Sequence, residues 1–172
     1  MSKVVLLRHA RTEAGNRKGD LVRELTVAGR KQAHILGRQL REILVEAETW
    51  LVSPAVRAQQ TLVELRSGAG LMGGTEVPEV VEAPEIYSGD TVAIWEAILA
   101  LSTGRVTVVV GHEPTISELV RQVSSGEQTH QVSEGIPTAT AMVLECSAAA
   151  SVQEWQVEVA ELVQVTHVEA QD

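Results

Sequence analysis

The sequence predicts an α/β domain of three layers, in which helices cover both faces of a mostly parallel sheet that has an antiparallel edge. Short apolar runs alternate with stretches of helical spacing, which is typical of a parallel sheet. The last third differs, because residues 139–145 and 152–159 have the pattern of an antiparallel pair with one buried face. The predicted strands of the parallel part are 3–8, 50–52, 80–81 and 105–110.

Capping signals place the predicted helices between these strands. Thr26 precedes apolar residues spaced for a helix that continues to about residue 45. The Ser-Pro pair at 53–54 is typical of a helix start, so Arg57 is expected in the first helical turn, where free amides favour an anion. The remaining predicted helices begin at Asp90 or Thr91 and at Thr115.

The composition fits one folded domain over residues 1–172. With 44% hydrophobic residues and no Phe, aliphatic side chains must fill the core. The single cysteine, Cys146, excludes an intrachain disulfide and a metal cluster built from cysteines. The first apolar run, 4–7, is too short for a signal-peptide core or a membrane span. We therefore expect a cytoplasmic protein without membrane association.

The charge is unevenly distributed along the chain. The net charge is −9, with +5 over residues 1–66 and −14 over residues 67–172. An acidic protein does not suit general nucleic-acid binding, but local cations can bind a small anion. Four basic residues of the first predicted helix are expected to be ordinary solvated side chains: Arg30, Lys31, Arg38 and Arg41.

Cationic or titratable residues directly follow three of the predicted strands. Arg8 ends the first and His9 follows it, Arg57 lies just beyond the second, and His112 follows the strand at 105–110. The carboxyl ends of parallel strands open into a common ligand crevice. Two histidines and two arginines there would make a site for a phosphoryl group, with one histidine free to attack it.

The motifs at these strand ends resemble those of the histidine phosphatase superfamily, which has the phosphoglycerate-mutase-like fold. The chain is similar in particular to the small SixA-type phosphohistidine phosphatases, over essentially its whole length. Arg-His-Ala alone would be weak, but three motifs in the right order are specific. They are Arg-His-Ala at 8–10, Ser-Pro at 53–54 with Arg57-Ala58 and Thr61, and Gly-His-Glu-Pro at 111–114. Further matches are 20–26 with Gly29, Pro84-Glu85 with Gly89-Asp90, and Thr138-Ala139.

The resemblance implies a role for each of four residues. His9 would be the nucleophile, with its other ring nitrogen kept protonated by a backbone carbonyl. Arg8 and Arg57 would hold the non-bridging phosphoryl oxygens. His112, as an imidazolium, would donate to the same oxygens. No metal and no cofactor are expected, because these cationic groups supply the neutralisation.

The proton donor is open between two glutamates. Glu85 matches the donor of larger family members, and Glu113 matches the donor of the acid-phosphatase branch. Either could instead be a helix cap or a solvated side chain, and Glu85 is preferred. Arg23 and Arg11 are expected at the mouth of the site as substrate contacts, and the neighbouring cations Arg17 and Lys18 as a solvated loop.

The segment between Thr61 and Arg105 holds no long insertion that could form a lid. An open crevice suits a phosphate carried by a protein, so a phosphohistidine-bearing protein is the expected substrate. The alternative is a phosphatase of small phosphate monoesters with the same mechanism. A mutase is less expected, and so is a non-catalytic module that binds phosphorylated ligands. Three further histidines are expected to be structural or surface residues: His34, His130 and His167.

Overall fold

A computed structural model describes residues 2–73, 78–102, 104–125, 127–146 and 160–171. Within them a seven-stranded sheet has the order β3-β2-β4-β1-β6-β7-β5. The strands are β1 (Ser2–Arg8), β2 (Ala47–Val52), β3 (Glu79–Glu82), β4 (Val106–Gly111), β5 (Ser124–Ser125), β6 (Thr140–Cys146) and β7 (Ala160–His167). The helices are α1 (Val27–Gln39), α2 (Arg41–Leu44), α3 (Val56–Gly68), α4 (Glu85–Ser88), α5 (Thr91–Leu101) and α6 (Thr115–Val123), and a 3₁₀ helix spans Glu127–Val132.

The sheet is mixed in the way that the sequence predicts. β3, β2, β4 and β1 are parallel neighbours, β6 is antiparallel to β1, and β7 is antiparallel to β6. β5 adds a short parallel pairing to β7. The predicted α/β class, with a mostly parallel sheet and an antiparallel edge, is therefore confirmed.

The position of the last strand is a correction to the sequence analysis. The predicted segment 152–159 lies outside the described residues, and the strand that pairs with β6 is Ala160–His167. Its register joins Thr140 to His167 and Cys146 to Ala160. The alternation of apolar and polar residues is broken in 160–167 by the adjacent Leu162 and Val163, whereas it is regular over 154–159, so periodicity favours the wrong segment.

Helices cover both faces of the sheet, because the strands send alternate side chains to opposite sides. Val5 and Leu7 of β1 pack in a core with α1 and α3, which also contains Trp50. Leu6 packs in the opposite core with Trp95 of α5 and residues of α6. Among the described residues, every helix is too short or too polar to span a membrane.

Two helix boundaries differ from the prediction. The Thr26 hydroxyl caps α1 by accepting from Gly29 N at 3.0 Å, as expected, but the helix is interrupted at Leu40 (φ −96°, ψ 8°) before α2. α3 begins at Val56, with Ala55 as the flanking residue, and not at Pro54. The Ser53 hydroxyl instead accepts from Ala55 N at 3.2 Å, within a turn that precedes the helix. Arg57 remains in the first turn of α3.

Candidate active site

The ends of β1, β2 and β4 meet at one edge of the sheet. The backbone continues the parallel pairing beyond the strands: His9 N donates to Gly111 O at 3.0 Å, and Ser53 N donates to Val110 O at 3.1 Å. On the other side, Ala139 N donates to His9 O at 3.1 Å. The residue after β1 is thus fixed from both sides, directly beside the end of β4.

The imidazole of His9 is held in one orientation and one tautomer. Its Nδ1 lies 2.8 Å from Ala10 O. A carbonyl oxygen is only an acceptor, so Nδ1 must carry the hydrogen of this bond. Nε2 is then the unprotonated nitrogen, and it accepts from Arg57 Nε at 3.3 Å. Burial is the main cause that lowers the pKa of His9 to about 4, and Arg57 and Arg8 add repulsion. The ring is therefore neutral at neutral pH.

Arg57 is buried and contacts two parts of the site. Besides its contact with His9, Nη1 donates to Asp20 O at 2.7 Å and Nη2 donates to Asp20 Oδ2 at 2.8 Å. The side chain of Arg57 is 6% exposed and that of Asp20 is 47% exposed. The loop between β1 and α1 is joined to the start of α3 by these contacts and by Val56 N, which donates to Leu21 O.

Arg8 lies next to the segment that precedes β6. One terminal nitrogen donates to Ile136 O. Nε is buried and has no hydrogen-bond partner among the described residues. Burial lowers the pKa of Arg8, and the nearby charge of Glu113 opposes that shift. A partly buried guanidinium whose Nε–H is buried and unused can bind an anion that enters the site.

His112 faces His9, with 5.2 Å between ring centroids and a tilt of 59°. Its Nε2 lies 2.7 Å from Ser53 Oγ, and its Nδ1 is buried without a partner among the described residues. Burial, followed by repulsion from His9 and Arg57, lowers its pKa to about 3. His112 is therefore neutral in the ligand-free protein and not the imidazolium that was expected, because its positive charge would be buried among other cations.

The two candidate proton donors lie in different surroundings. Glu85 is exposed at the start of α4 and lines a shallow groove beside α5. Glu113 is directed into the protein: its carboxylate accepts from Ser117 N at 3.1 Å, Ser117 Oγ at 2.7 Å and Ile136 N at 3.4 Å. It joins the N-terminus of α6 to the segment before β6. Neither glutamate has a described hydrogen bond to a histidine of the site.

The predicted rim cations are only partly brought to the site. Arg23 forms an ion pair with Asp20 (Nη1–Oδ1, 2.9 Å) and donates from Nε and Nη2 to Glu13 O. Arg11 is exposed, and its backbone N donates to Gln32 Oε1 at 2.9 Å. Arg17 and Lys18 are exposed on the same loop.

Two site residues were given no role by the sequence analysis. Asp20 lies in a matching segment, but its contact with Arg57 depends on how the loop folds. Tyr87, in α4, donates to Asp20 Oδ2 at 3.0 Å, and its ring meets that of His112 edge-on at 5.6 Å between centroids. Tyr87 is the single tyrosine of the chain and lies two residues after the candidate Glu85. These two features could have marked it as a site residue.

The described residues include no group of three His, Cys, Asp or Glu side chains placed to hold a metal ion. The arrangement instead offers one nucleophilic imidazole nitrogen, two guanidiniums and a second imidazole around one space. These groups suit a phosphoryl anion and its transfer to nitrogen.

Comparison with known proteins agrees with the site. The family model for the histidine phosphatase superfamily (branch 1) matches residues 4–91. The phosphohistidine phosphatase SixA of Escherichia coli is 32% identical over 128 residues, covering 73% of this chain and 76% of that protein.

Solved structures agree as well. A SixA-like protein from Nakamurella multipartitia superposes with a TM-score of 0.74 at 26% identity, covering 97% of this chain and 96% of that one. The protein histidine phosphatase SixA complexed with tungstate has the same fold, with a TM-score of 0.70, 22% identity and 96% of both chains covered. The chain therefore belongs to the histidine phosphatase superfamily, in its SixA-type branch, and is a phosphatase.

Proposed function

We propose that this phosphatase removes the phosphoryl group from phosphohistidine on a protein, without a metal ion, through a phosphohistidine intermediate on His9. The observation that carries the proposal is the hydrogen bond from His9 Nδ1 to Ala10 O at 2.8 Å, which leaves Nε2 as the unprotonated nitrogen, with only the long contact from Arg57 Nε at 3.3 Å on its lone pair. A neutral ring with a fixed tautomer is the form in which histidine acts as a nucleophile.

The reaction would occur in two displacements. In the first, the Nε2 lone pair forms a bond to phosphorus while the bond from phosphorus to the substrate imidazole breaks, and its electron pair stays on that imidazole. In the second, water attacks phosphorus, the bond to His9 Nε2 breaks, and inorganic phosphate leaves. In this scheme Arg57 also releases its weak contact with Nε2 and donates to the phosphoryl oxygens instead.

Arg8, Arg57 and His112 would balance the charge of the phosphoryl group. The buried, unpartnered Nε of Arg8 and the unpartnered Nδ1 of His112 are polar groups that a bound oxyanion could pair. The dianion would also raise the pKa of His112 from its low resting value, since a nearby negative charge favours the protonated ring. These residues supply the role that Mg²⁺ has in other phosphoryl transfers.

The nature of the leaving group favours a phosphohistidine substrate. A phosphohistidine that is protonated on its second ring nitrogen releases a neutral imidazole, whose conjugate acid has a pKa of about 6.5. Such a leaving group tolerates a poor acid, and the Glu113 carboxylate is engaged by three donors. Between Thr61 and Arg105 the described residues include the rest of α3, then β3, α4 and α5, and an open site would suit a phosphate carried by a protein. The SixA relative, named a phosphohistidine phosphatase, supports the same substrate class.

One observation favours small phosphate monoesters as a second candidate. Glu85 begins α4, the helix whose Tyr87 ring contacts His112, although its side chain lines the groove beside α5 in the ligand-free protein. An alkoxide leaves poorly unless it is protonated, and a positioned acid contributes roughly 10²- to 10⁴-fold. Activity on monoesters would therefore depend on Glu85 far more than activity on phosphohistidine.

The test is phosphate release from a phosphohistidine-bearing protein and from an alkyl phosphate monoester such as a glycerate phosphate, both with EDTA present. Wild type, His9→Ala and the control His34→Ala, which alters a histidine of α1 outside the site, are compared. We expect wild type and His34→Ala to be active with EDTA, His9→Ala to be inactive, and phosphohistidine to be the more efficient substrate. Higher efficiency on the monoester would favour the second candidate. A folded wild type that binds phosphate without turnover or labelling of His9 would refute the catalytic proposal.

A further inference from the structure

We propose that Asp20 is a positioning residue for Arg57: it holds the two terminal nitrogens of the guanidinium so that the Nε edge faces His9. Tyr87 helps to fix Asp20 in that position by donating to the carboxylate oxygen that Arg57 also uses. The inference rests on the proposed function, since it concerns the orientation of a group that binds the phosphoryl oxygens.

Asp20 is the point at which the cations of the loop and of α3 meet. Its Oδ2 accepts from Arg57 Nη2 at 2.8 Å and from the Tyr87 hydroxyl at 3.0 Å. Its Oδ1 accepts from Arg23 Nη1 at 2.9 Å, and its backbone carbonyl accepts from Arg57 Nη1 at 2.7 Å. Three side chains and one backbone contact thus define where this carboxylate lies.

A guanidinium offers two edges that can each grip two oxygens: one made by the two terminal nitrogens, and one made by Nε and a terminal nitrogen. Asp20 takes the terminal edge of Arg57 through its carboxylate and its carbonyl. The remaining edge points Nε to His9 Nε2 at 3.3 Å. A phosphoryl group bonded to Nε2 would therefore meet the Nε edge, already oriented.

Asp20 is negatively charged, which indicates that it orients Arg57 and does not strengthen binding of the phosphoryl anion. Arg23 and Arg57 hold the pKa of this carboxyl at about 2, with the Arg23 hydrogen bond the largest cause, so Asp20 is negative in the working protein. A carboxylate beside a phosphate site repels the anion. A site built only for tight binding would not place it there.

Tyr87 completes the arrangement from α4. Its hydroxyl donates to the same oxygen that Arg57 uses, and its ring meets His112 edge-on. Burial and the nearby carboxylate of Asp20 raise the pKa of Tyr87, and its protonated phenol is the donor in this contact. Tyr87 therefore connects Asp20, which orients Arg57, to the ring of His112.

The test measures kcat on the phosphohistidine protein and, separately, the Kd of inorganic tungstate by calorimetry. We expect Asp20→Ala to lower kcat about 10- to 100-fold, because a small misplacement of a positioning group has an effect of that order. Tungstate should bind as tightly as to wild type or more tightly, because a repelling charge is gone. Asp20→Asn should lower kcat less than Asp20→Ala does, because its amide oxygen can still accept from Arg57. Tyr87→Phe should lower kcat about 2- to 5-fold.

The matched control is Asp90→Ala, which removes the carboxylate that caps α5 by accepting from Ala93 N at 2.9 Å. It should lower thermal stability without changing kcat. If Asp20→Ala keeps the wild-type kcat, or loses kcat and tungstate affinity by the same factor, the inference is wrong. If wild type itself shows no phosphate release that depends on His9, the proposed function fails and the inference fails with it.

Discussion

The hydroxyl of Thr61 joins the helix of Arg57 to the backbone of Ala10. Ala10 N donates to Thr61 Oγ1 at 3.1 Å, and Oγ1 donates to Arg57 O at 2.7 Å. Ala10 is also the residue whose carbonyl accepts from His9 Nδ1. One buried hydroxyl therefore fixes the backbone that sets the tautomer of the nucleophile, and fixes it relative to the arginine beside it.

Replacing this hydroxyl should cost both stability and activity. In Thr61→Val the shape is kept but Ala10 N–H is left buried and unpaired, which costs about 1 to 3 kcal/mol of unfolding free energy. We also expect a lower kcat, because the Ala10 carbonyl is less well placed for His9. Thr61→Ser, which retains the hydroxyl, should recover most of the activity. Urea unfolding and phosphate release check this, and a Thr61→Val variant with wild-type kcat would contradict it.

Ser53 should act on His112 through the 2.7 Å contact between Oγ and Nε2. Ser53→Ala removes the partner that orients this ring and leaves a buried ring nitrogen unpaired. We expect kcat to fall about tenfold, a loss of the order of one hydrogen bond to a charged group. Ser88→Ala, in which an exposed hydroxyl of α4 is lost, is the matched control and should be unchanged. Equal rates for the two variants would show that Ser53 does not orient His112 in catalysis.

The two glutamates should respond differently to substitution. Glu85→Gln should change the rate on phosphohistidine less than about fivefold and lower the rate on a monoester at least 100-fold, because only the alkoxide needs the acid. Glu113→Ala should instead destabilise the fold by about 1 to 3 kcal/mol, since Ser117 and Ile136 N–H lose their acceptor. The rates on both substrates and the unfolding free energy of each variant are measured, and together they separate a proton donor from a structural residue. A large, substrate-selective loss in folded Glu113→Gln would assign the donor to Glu113.

The sequence predicts what is local in the chain and fails where tertiary contacts decide. The strand ends that carry His9 and His112 follow from short apolar runs and the rule for parallel sheets, and the structure brings both together. The Ser-Pro pair has the pattern of a helix cap, but Ser53 contacts His112 instead. The partners of Asp20 depend on the path of the loop before α1, which no periodic pattern encodes. These are the contacts that orient the site.

The two site histidines should make the stability of the protein fall as the solution becomes acidic. In the unfolded chain each imidazole has a pKa of about 6.5, whereas burial lowers the pKa of His9 to about 4 and that of His112 to about 3. Between pH 6.5 and about 4 the unfolded chain therefore binds more protons than the folded protein. By linkage, this contribution is fully present above pH 6.5 and is lost as the pH falls through that window.

Urea unfolding at pH 7.5 and pH 5.0 measures the effect. We expect the unfolding free energy of wild type to fall by about 1 to 2 kcal/mol for each of the two histidines. His112→Gln should remove the part of this decrease that His112 contributes, whereas His34→Gln should keep the parts of both His9 and His112. Asp20 does not interfere, because its pKa is about 2 in the folded protein and its ordinary value of 3.8 already lies below this window. A decrease in His112→Gln as large as in wild type would show that His112 is not buried in its neutral form.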